Sequence, residues 1–221
     1  IVLDTLEYYI NFKNPYFWLS ALHIIWNVLY WNVTSTIQYK TKLFSNIFGK
    51  KLAVYLHSIS IFTQGLTRNF LFKYVCETSN KYIPLLDNQY ITILAYLILL
   101  VGFILVSSST LRLGIIGTYN GDAYGYLMSG LITSFPYNLF NAPMYFGSTL
   151  NFLYCAVLNR SIAGVVLSAI AGIVYYIGTI FEDKLTSTIY SDAAKLRTKK
   201  NEDEYLKSDK RAKTQRARRS L

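Results

Sequence analysis

The sequence predicts an all-α integral membrane protein, a polytopic helical bundle with about five membrane-embedded segments. Three observations carry that prediction. The 221-residue chain is 52% hydrophobic and 16% aromatic, and its mean hydropathy of +0.27 is too apolar for an ordinary soluble domain. Residues 17–37, 91–111 and 161–181 each form a 21-residue block without Lys, Arg, Asp or Glu, and about 20 apolar residues cross a bilayer core. The net charge of +10 is concentrated, with 12 Lys and Arg between residues 184 and 221, as the positive-inside rule expects of a cytosolic tail.

The elements follow in chain order. The first apolar block starts after Asn14-Pro15 and is too long and Trp-rich for a cleavable signal. A second candidate, residues 52–67, ends at Arg68, which is expected to snorkel to the interface. The third is 91–111. A shorter segment, 144–158, suits half of a helical hairpin turned at Asn159-Arg160, and 161–181 is the return helix. Gly164, Ser168 and Gly172 fall four apart on one face of it, a spacing that lets helices approach closely. Past about Thr198 the polar composition predicts a disordered tail or a frayed helix. The expected organisation is a membrane domain over 1–194 and a basic cytosolic tail over 195–221.

Charge selects a topology. With the tail in the cytosol, 159–160 is a lumenal turn, 112–143 faces the cytosol and 73–90 is lumenal. The four lysines of 38–51, which have no acid among them, then face the cytosol, and the N-terminus is lumenal. The first segment either spans or re-enters. Asn32 and Asn159 match the glycosylation pattern, but this topology makes both false positives. Tail basicity after a membrane helix indicates topology and anionic headgroups rather than nucleic acid. Cys76 and Cys155 match no metal or redox spacing, and His23 and His57 sit alone in apolar stretches, so no metal site is expected.

One region departs from plain spanning helices. No charged side chain occurs between residues 123 and 159, yet Gly125, Gly130, Pro136 and Pro143 interrupt the stretch. Irregular backbone at membrane depth is tolerated only where it is buried in protein or lines a cavity. The polar, Gly- and Pro-marked block is therefore a binding-site candidate.

Its motifs are Leu-Gly-Ile-Ile-Gly-Thr-Tyr-Asn-Gly-Asp-Ala-Tyr-Gly at 113–125, Phe-Pro-Tyr-Asn at 135–138 and Asn-Ala-Pro-Met-Tyr-Phe-Gly-Ser-Thr at 141–149. With Phe181-Glu182-Asp183, Ile189-Tyr190, and the upstream stretches 26–32 and 40–49, they resemble the phospholipid N-methyltransferase family over roughly residues 20–194. The resemblance implies methylation of phosphatidylethanolamine or its mono- and dimethyl forms toward phosphatidylcholine. It also implies S-adenosylmethionine as methyl donor and residence in the endoplasmic reticulum membrane. The family's cofactor site is attributed to a Gly-x-Gly in the third apolar helix and to a paired acid after the last helix. The matching positions here are Leu100-Val101-Gly102, which lacks the first glycine, and Glu182-Asp183. Residues 141–147 are also similar to the Arg-His-Pro-x-Tyr-x-Gly element of isoprenylcysteine carboxyl methyltransferases, with Asn141-Ala142 replacing Arg-His. A carboxyl methyltransferase and a non-catalytic protein of the same fold are the alternatives.

Chemistry assigns expected roles. Methyl transfer to an amine needs a neutral nitrogen, and a carboxylate can take the proton. Asp122 is the only acid in the motif block, and is either that acceptor, a headgroup anchor or a turn-former in Asn120-Gly121-Asp122. An acid pair at a helix C-terminus opposes the helix dipole and needs another reason to be there; the resemblance implies that Glu182 and Asp183 bind the donor, against the reading of an ordinary helix-end pair. Asn141, Pro143, Tyr145 and Gly147 open the short helix, whose N-terminus could face the donor's carboxylate. Pro143 also reads as a helix-start proline. Gly114, Gly117 and Gly121 would let backbone approach a ligand. Arg112 is expected to pair with the lipid phosphate or anchor at the interface, and Tyr119 to line the lipid site.

Overall fold

The computed structural model describes residues 10–78, 87–130 and 132–219, with side chains to residue 208. It divides into a compact unit ending at Glu182 and a second unit from Asp183 onward. Among the described residues the fold is all-α, with no strand.

The helices are α1 (Pro15–Thr41), α2 (Leu43–Phe48), α3 (Lys50–Thr78), α4 (Gln89–Thr118), α5 (Pro143–Leu158) and α6 (Ile162–Arg219), with a 3₁₀ turn at Gly121–Tyr124. Local chemistry sets their ends. Asn14 caps α1 by accepting from the Tyr16 N–H at 3.0 Å, just ahead of Pro15. Asn88 caps α4 in the same way through Tyr90 at 2.9 Å. Buried Gln38 starts α2: its Oε1 accepts from Phe44 N at 3.0 Å and from Ser45 N at 3.2 Å. The α5–α6 connection is the tight turn that Asn159-Arg160 predicts, with Arg160 left-handed (φ 53°) and Arg160 paired to Asp87.

Helices α4 and α6 are long and apolar enough to cross a membrane. Helices α1 and α3, of 27 and 29 residues, have the length to cross by rise. The outer faces are apolar: Trp18, Leu22, Trp26 and Leu29 on α1, Leu94, Leu97 and Phe103 on α4, and Ile173, Tyr176 and Ile180 on α6 are all exposed. Hydrocarbon is the medium that such a skin suits, because water would penalise a contiguous apolar surface of this extent.

The core joins Phe17, Ile24, Val28 and Trp31 of α1 with Phe72 and Val75 of α3, Phe152 and Ala156 of α5, and Leu167, Ala171 and Tyr175 of α6. The small residues of α6 do pack, as their spacing predicts. A Cβ on Gly164 would lie 2.5 Å from Cys76 Sγ and 2.8 Å from Ala156 Cβ, and one on Gly172 would meet Thr149 at 3.2 Å. His23 bonds the Gln64 carbonyl at 3.1 Å and His57 bonds Ser35 at 3.4 Å, so both are satisfied locally.

Two expectations differ from the structure, the direction of Arg68 and the helix end expected at Glu182-Asp183, which lie inside α6. Arg68 snorkels only in part, keeping its Nε and Nη2 on exposed Asn69 while one nitrogen turns inward. It donates to Asn27 Oδ1 at 3.0 Å and to the Tyr175 hydroxyl, because the bundle offers it acceptors. The chain past Thr198 continues helical to Arg219. Lys, Arg, Ala and Glu are good helix formers, and Lys195–Asp192 (3.5 Å) and Lys200–Glu204 (3.8 Å) add one-turn ion pairs. Of the 73–90 loop assigned to the lumen, residues 73–78 continue α3 and 89–90 begin α4, while 79–86 lie outside the described residues, as does the extreme N-terminus.

Candidate functional site

The motif block begins where α4 bends. Gly114 is non-helical (φ 66°, ψ 173°) with open space around a would-be Cβ, so the conformation rather than crowding requires glycine. Beyond it, Asn120 is left-handed (φ 56°) and buried, and leads into the 3₁₀ turn that holds half-buried Asp122. Its Oδ1 accepts from Ala123 N at 2.8 Å, and its carbonyl accepts from Gly125 N at 2.7 Å. Tyr124 seats the turn on α3, its ring 5.5 Å from that of buried His57. Lys50 donates to the Gly125 carbonyl at 3.1 Å and lies 4.4 Å over the Tyr126 ring.

A second focus is Glu182. The Tyr145 hydroxyl donates to its Oε2. Tyr145 is held by ring packing, stacked on Trp31 at 5.7 Å and 5.3 Å from Tyr175. Tyr137 lies close enough to feel the carboxylate. Desolvation pushes its phenol above the ordinary value, a bond with Ser109 pulls it back, and the Glu182 charge raises it again. Tyr137 thus keeps its proton at neutral pH.

Other expected site residues fall around these foci. Gly102 and Gly147 meet across α4 and α5: a Cβ on Gly102 would come 2.7 Å from the Gly147 carbonyl, and one on Gly147 would come 2.8 Å from the Gly102 carbonyl. Pro143 is buried at the start of α5, while Asn141 is exposed two residues earlier. Arg112 is exposed and donates to the Phe135 carbonyl at 3.3 Å. Tyr119 is half-buried against the core. Leu100 (53% exposed) and Val101 (48%) point to the outer surface and are not brought to either focus. Asp183 is exposed, and partial desolvation pushes its carboxyl above the ordinary value. Among the described residues no three His, Cys, Asp or Glu side chains gather as metal ligands.

Comparison with known proteins decides the family. The profile of the phospholipid methyltransferase family matches residues 90–193. A phosphatidyl-N-methylethanolamine N-methyltransferase of Neurospora crassa is 38% identical over 193 residues, covering 86% of this chain and 90% of the relative. Phosphatidylethanolamine N-methyltransferase A of Dictyostelium discoideum is 38% identical over 200 residues, covering 90% and 93%. The human phosphatidylethanolamine N-methyltransferase is 33% identical over 187 residues, covering 84% and 94%. The chain belongs to the phospholipid methyltransferase family. No solved structure matches it.

As an enzyme of this family, the chain carries features that motif reading alone does not find. Trp31 and Tyr175 pack on Tyr145, and Arg68 bonds Tyr175, yet the first two come from apolar blocks read as spans and Arg68 from the edge of one. A signal does exist: Asn27, Trp31, Ser35 and Gln38 recur at helical spacing and form one buried face of α1. Polar side chains on the inward face of a membrane helix mark internal networks.

Proposed function

We propose that this protein N-methylates phosphatidylethanolamine or its mono- and dimethyl forms, toward phosphatidylcholine, with S-adenosylmethionine as donor. The observation that carries the reading is the bond from Tyr145 to Glu182. It joins the 141–149 motif, whose helix start is expected to face the donor's carboxylate, to the acid after the last apolar block, where family resemblance assigns donor binding. The relatives' names, which specify lipid amine methylation, supply the substrate class.

The residues fit such a donor. Glu182 can accept from ribose hydroxyls or an ammonium, with Asp183 next to it in sequence. Helix α5 starts at Pro143 without a side-chain cap bond, leaving first-turn N–H groups for a carboxylate. Gly102 and Gly147 hold α4 and α5 close enough to keep that end narrow. When bound, S-adenosylmethionine supplies an electrophilic methyl group. The chain's own tasks are to align the amine, exclude water and take a proton. Alignment alone is worth several kcal/mol, up to about 7–11 in ideal cases. The amine must lose its proton before attack, and Asp122 takes it, holding it at the carboxylate until water removes it. Arg112 and Tyr119 contact the lipid headgroup.

The same reading makes residues 1–194 the catalytic membrane domain, with five embedded segments in the endoplasmic reticulum membrane. Residues 195–221 form a cytosolic basic tail that meets anionic lipid rather than nucleic acid. The lipid enters laterally from the bilayer and the donor from the cytosol.

The test is a methylation assay. Membranes carrying the protein receive labelled S-adenosylmethionine with phosphatidylethanolamine, its monomethyl form or its dimethyl form, each alone. Label in the lipid is the expected result. No label with any of the three, in folded protein, overturns the reading.

A further inference from the structure

Arg68 is a half-buried guanidinium that turns its Nη1 into an apolar bundle, and its partners among the described residues are all neutral. It donates to Asn27 Oδ1 at 3.0 Å, to the Tyr175 hydroxyl and to Asn69 Oδ1 at 3.2 and 3.3 Å. Its plane lies 5.1 Å from the Phe152 ring and 5.6 Å from the Tyr175 ring. No carboxylate among the described residues neutralises it. A cation so placed is costly unless something anionic meets it.

Two further donors stand on the adjoining face. Asn27 is 1% exposed and Trp31 is 4% exposed, one helical turn apart on α1. The Asn27 Nδ2 and Trp31 Nε1 groups have no hydrogen-bond partner among the described residues. Each such orphan costs about 1–3 kcal/mol. Asn27 and Trp31 both adjoin Tyr175, the first through Arg68 and the second by ring stacking at 6.3 Å. A network that served packing alone would pair its donors with acceptors. At Asn27 and Trp31 the surplus is N–H, beside a positive charge that no described carboxylate meets, while one turn before Arg68 the Gln64 Oε1 is an unpartnered acceptor.

We propose that Asn27, Trp31 and Arg68 form an internal oxyanion subsite that binds one of the two reactants. The inference rests on the methyltransferase reading above. Two oxyanions are then present in the reaction: the phosphodiester of the lipid headgroup and the carboxylate of the donor's amino-acid moiety. Both belong to molecules that also carry nitrogen, and the subsite adjoins the group that would receive it. Tyr175, which Arg68 holds, packs 5.3 Å from Tyr145, which holds Glu182. An oxyanion at Arg68 and a positive group toward Glu182 would orient a zwitterion across this aromatic pair.

The experiment uses the full chain in lipid nanodiscs, with labelled S-adenosylmethionine and the monomethyl lipid each varied in turn. Arg68→Met should raise the KM of one reactant about tenfold or more, the scale of a lost charge-assisted hydrogen bond, while the KM of the other holds. Arg68→Lys should recover part of the loss. A lipid KM that moves alone identifies the phosphodiester, and a donor KM that moves alone identifies the carboxylate. Trp31→Phe keeps the ring and deletes an N–H that no described residue accepts, so a packing role predicts unchanged KM values. The subsite predicts a rise of about threefold or more in the same KM that Arg68→Met moves. If Arg68→Met does not fold, this variant carries the test. Unchanged KM values in folded variants, or both KM values rising together as unfolding temperature drops, would overturn the subsite. Wild-type protein that labels no lipid would instead sink the methyltransferase reading, a separate outcome.

Discussion

The Tyr145 hydroxyl donates to the Glu182 carboxylate across 37 positions of sequence. A phenol bonded to a carboxylate fixes that oxygen's direction. Tyr145→Phe keeps the stacking on Trp31 and removes only the bond. It should weaken S-adenosylmethionine binding about tenfold, near 1.4 kcal/mol, the low end for a bond to a charged group. Glu182→Gln should weaken it further, and the double variant should match Glu182→Gln alone, because the bond has one function. Equilibrium binding of labelled donor to purified protein checks this. Additive losses would mean that the tyrosine acts elsewhere.

Asp122 has two readings that one substitution separates. Its Oδ1 accepts from the Ala123 N–H at 2.8 Å, a bond that an asparagine oxygen can also make. Asp122→Asn should therefore keep the 3₁₀ turn and remove the proton acceptor. Turnover should fall about 100-fold or more, as for a lost general base, with the unfolding temperature little changed. Rate and stability are measured on the same preparation. Wild-type turnover in the variant would leave Asp122 as a turn-former only.

The Asp183 carboxyl is raised by desolvation, which fixes the sign of a pH effect. A folded-state value above the unfolded one favours the folded protein when the proton is on. That contribution is complete below the unfolded value and is lost as pH rises through the raised folded value. Asp183→Asn should therefore gain on wild type in unfolding temperature as pH rises through and just above the ordinary carboxylate range. Because Asp183 is exposed, the divergence should be small. Parallel melting curves from acid to neutral pH would show that the carboxyl titrates normally.

Much of the bundle was legible because charge and apolarity are local signals. The Asn159-Arg160 turn followed from a polar pair between two apolar blocks, and the packing face of α6 from Gly164, Ser168 and Gly172. What escaped depends on side chains that only folding brings together. Arg68 reads as an interfacial residue because the acceptor next to it in sequence, Asn69, is exposed; its inward acceptors are 41 positions before it, at Asn27, and 107 after it, at Tyr175. The pairing of Tyr145 with Glu182 is likewise invisible, although each was expected in the donor site. Beyond Thr198 the polar composition left disorder and a frayed helix both open, and helix propensity decides for the helix. Leu100 and Val101 entered through family position alone, and the outward direction of their side chains is a property of the helix face.

Gly102 tests whether a family motif here marks packing or ligand contact. Its Cβ position lies 2.3 Å from Asn151 Oδ1 and 2.7 Å from the Gly147 carbonyl. The Asn151 side chain could swing away, but the Gly147 backbone moves only if α4 and α5 separate. Gly102→Ala should cost about 1–3 kcal/mol, the range for overpacking a well-filled interface. Gly147→Ala should cost a similar amount, since its Cβ would meet the Gly102 carbonyl at 2.8 Å. One parting of the helices relieves both clashes, so the double variant should cost less than the sum. Chemical denaturation in a mild detergent gives the three values, and donor affinity is measured alongside. A packing role predicts that stability falls in each variant and that affinity follows only as the helices part. Full stability with donor binding abolished in Gly102→Ala would mean that the glycine faces the donor, and that the close approach to Gly147 is incidental.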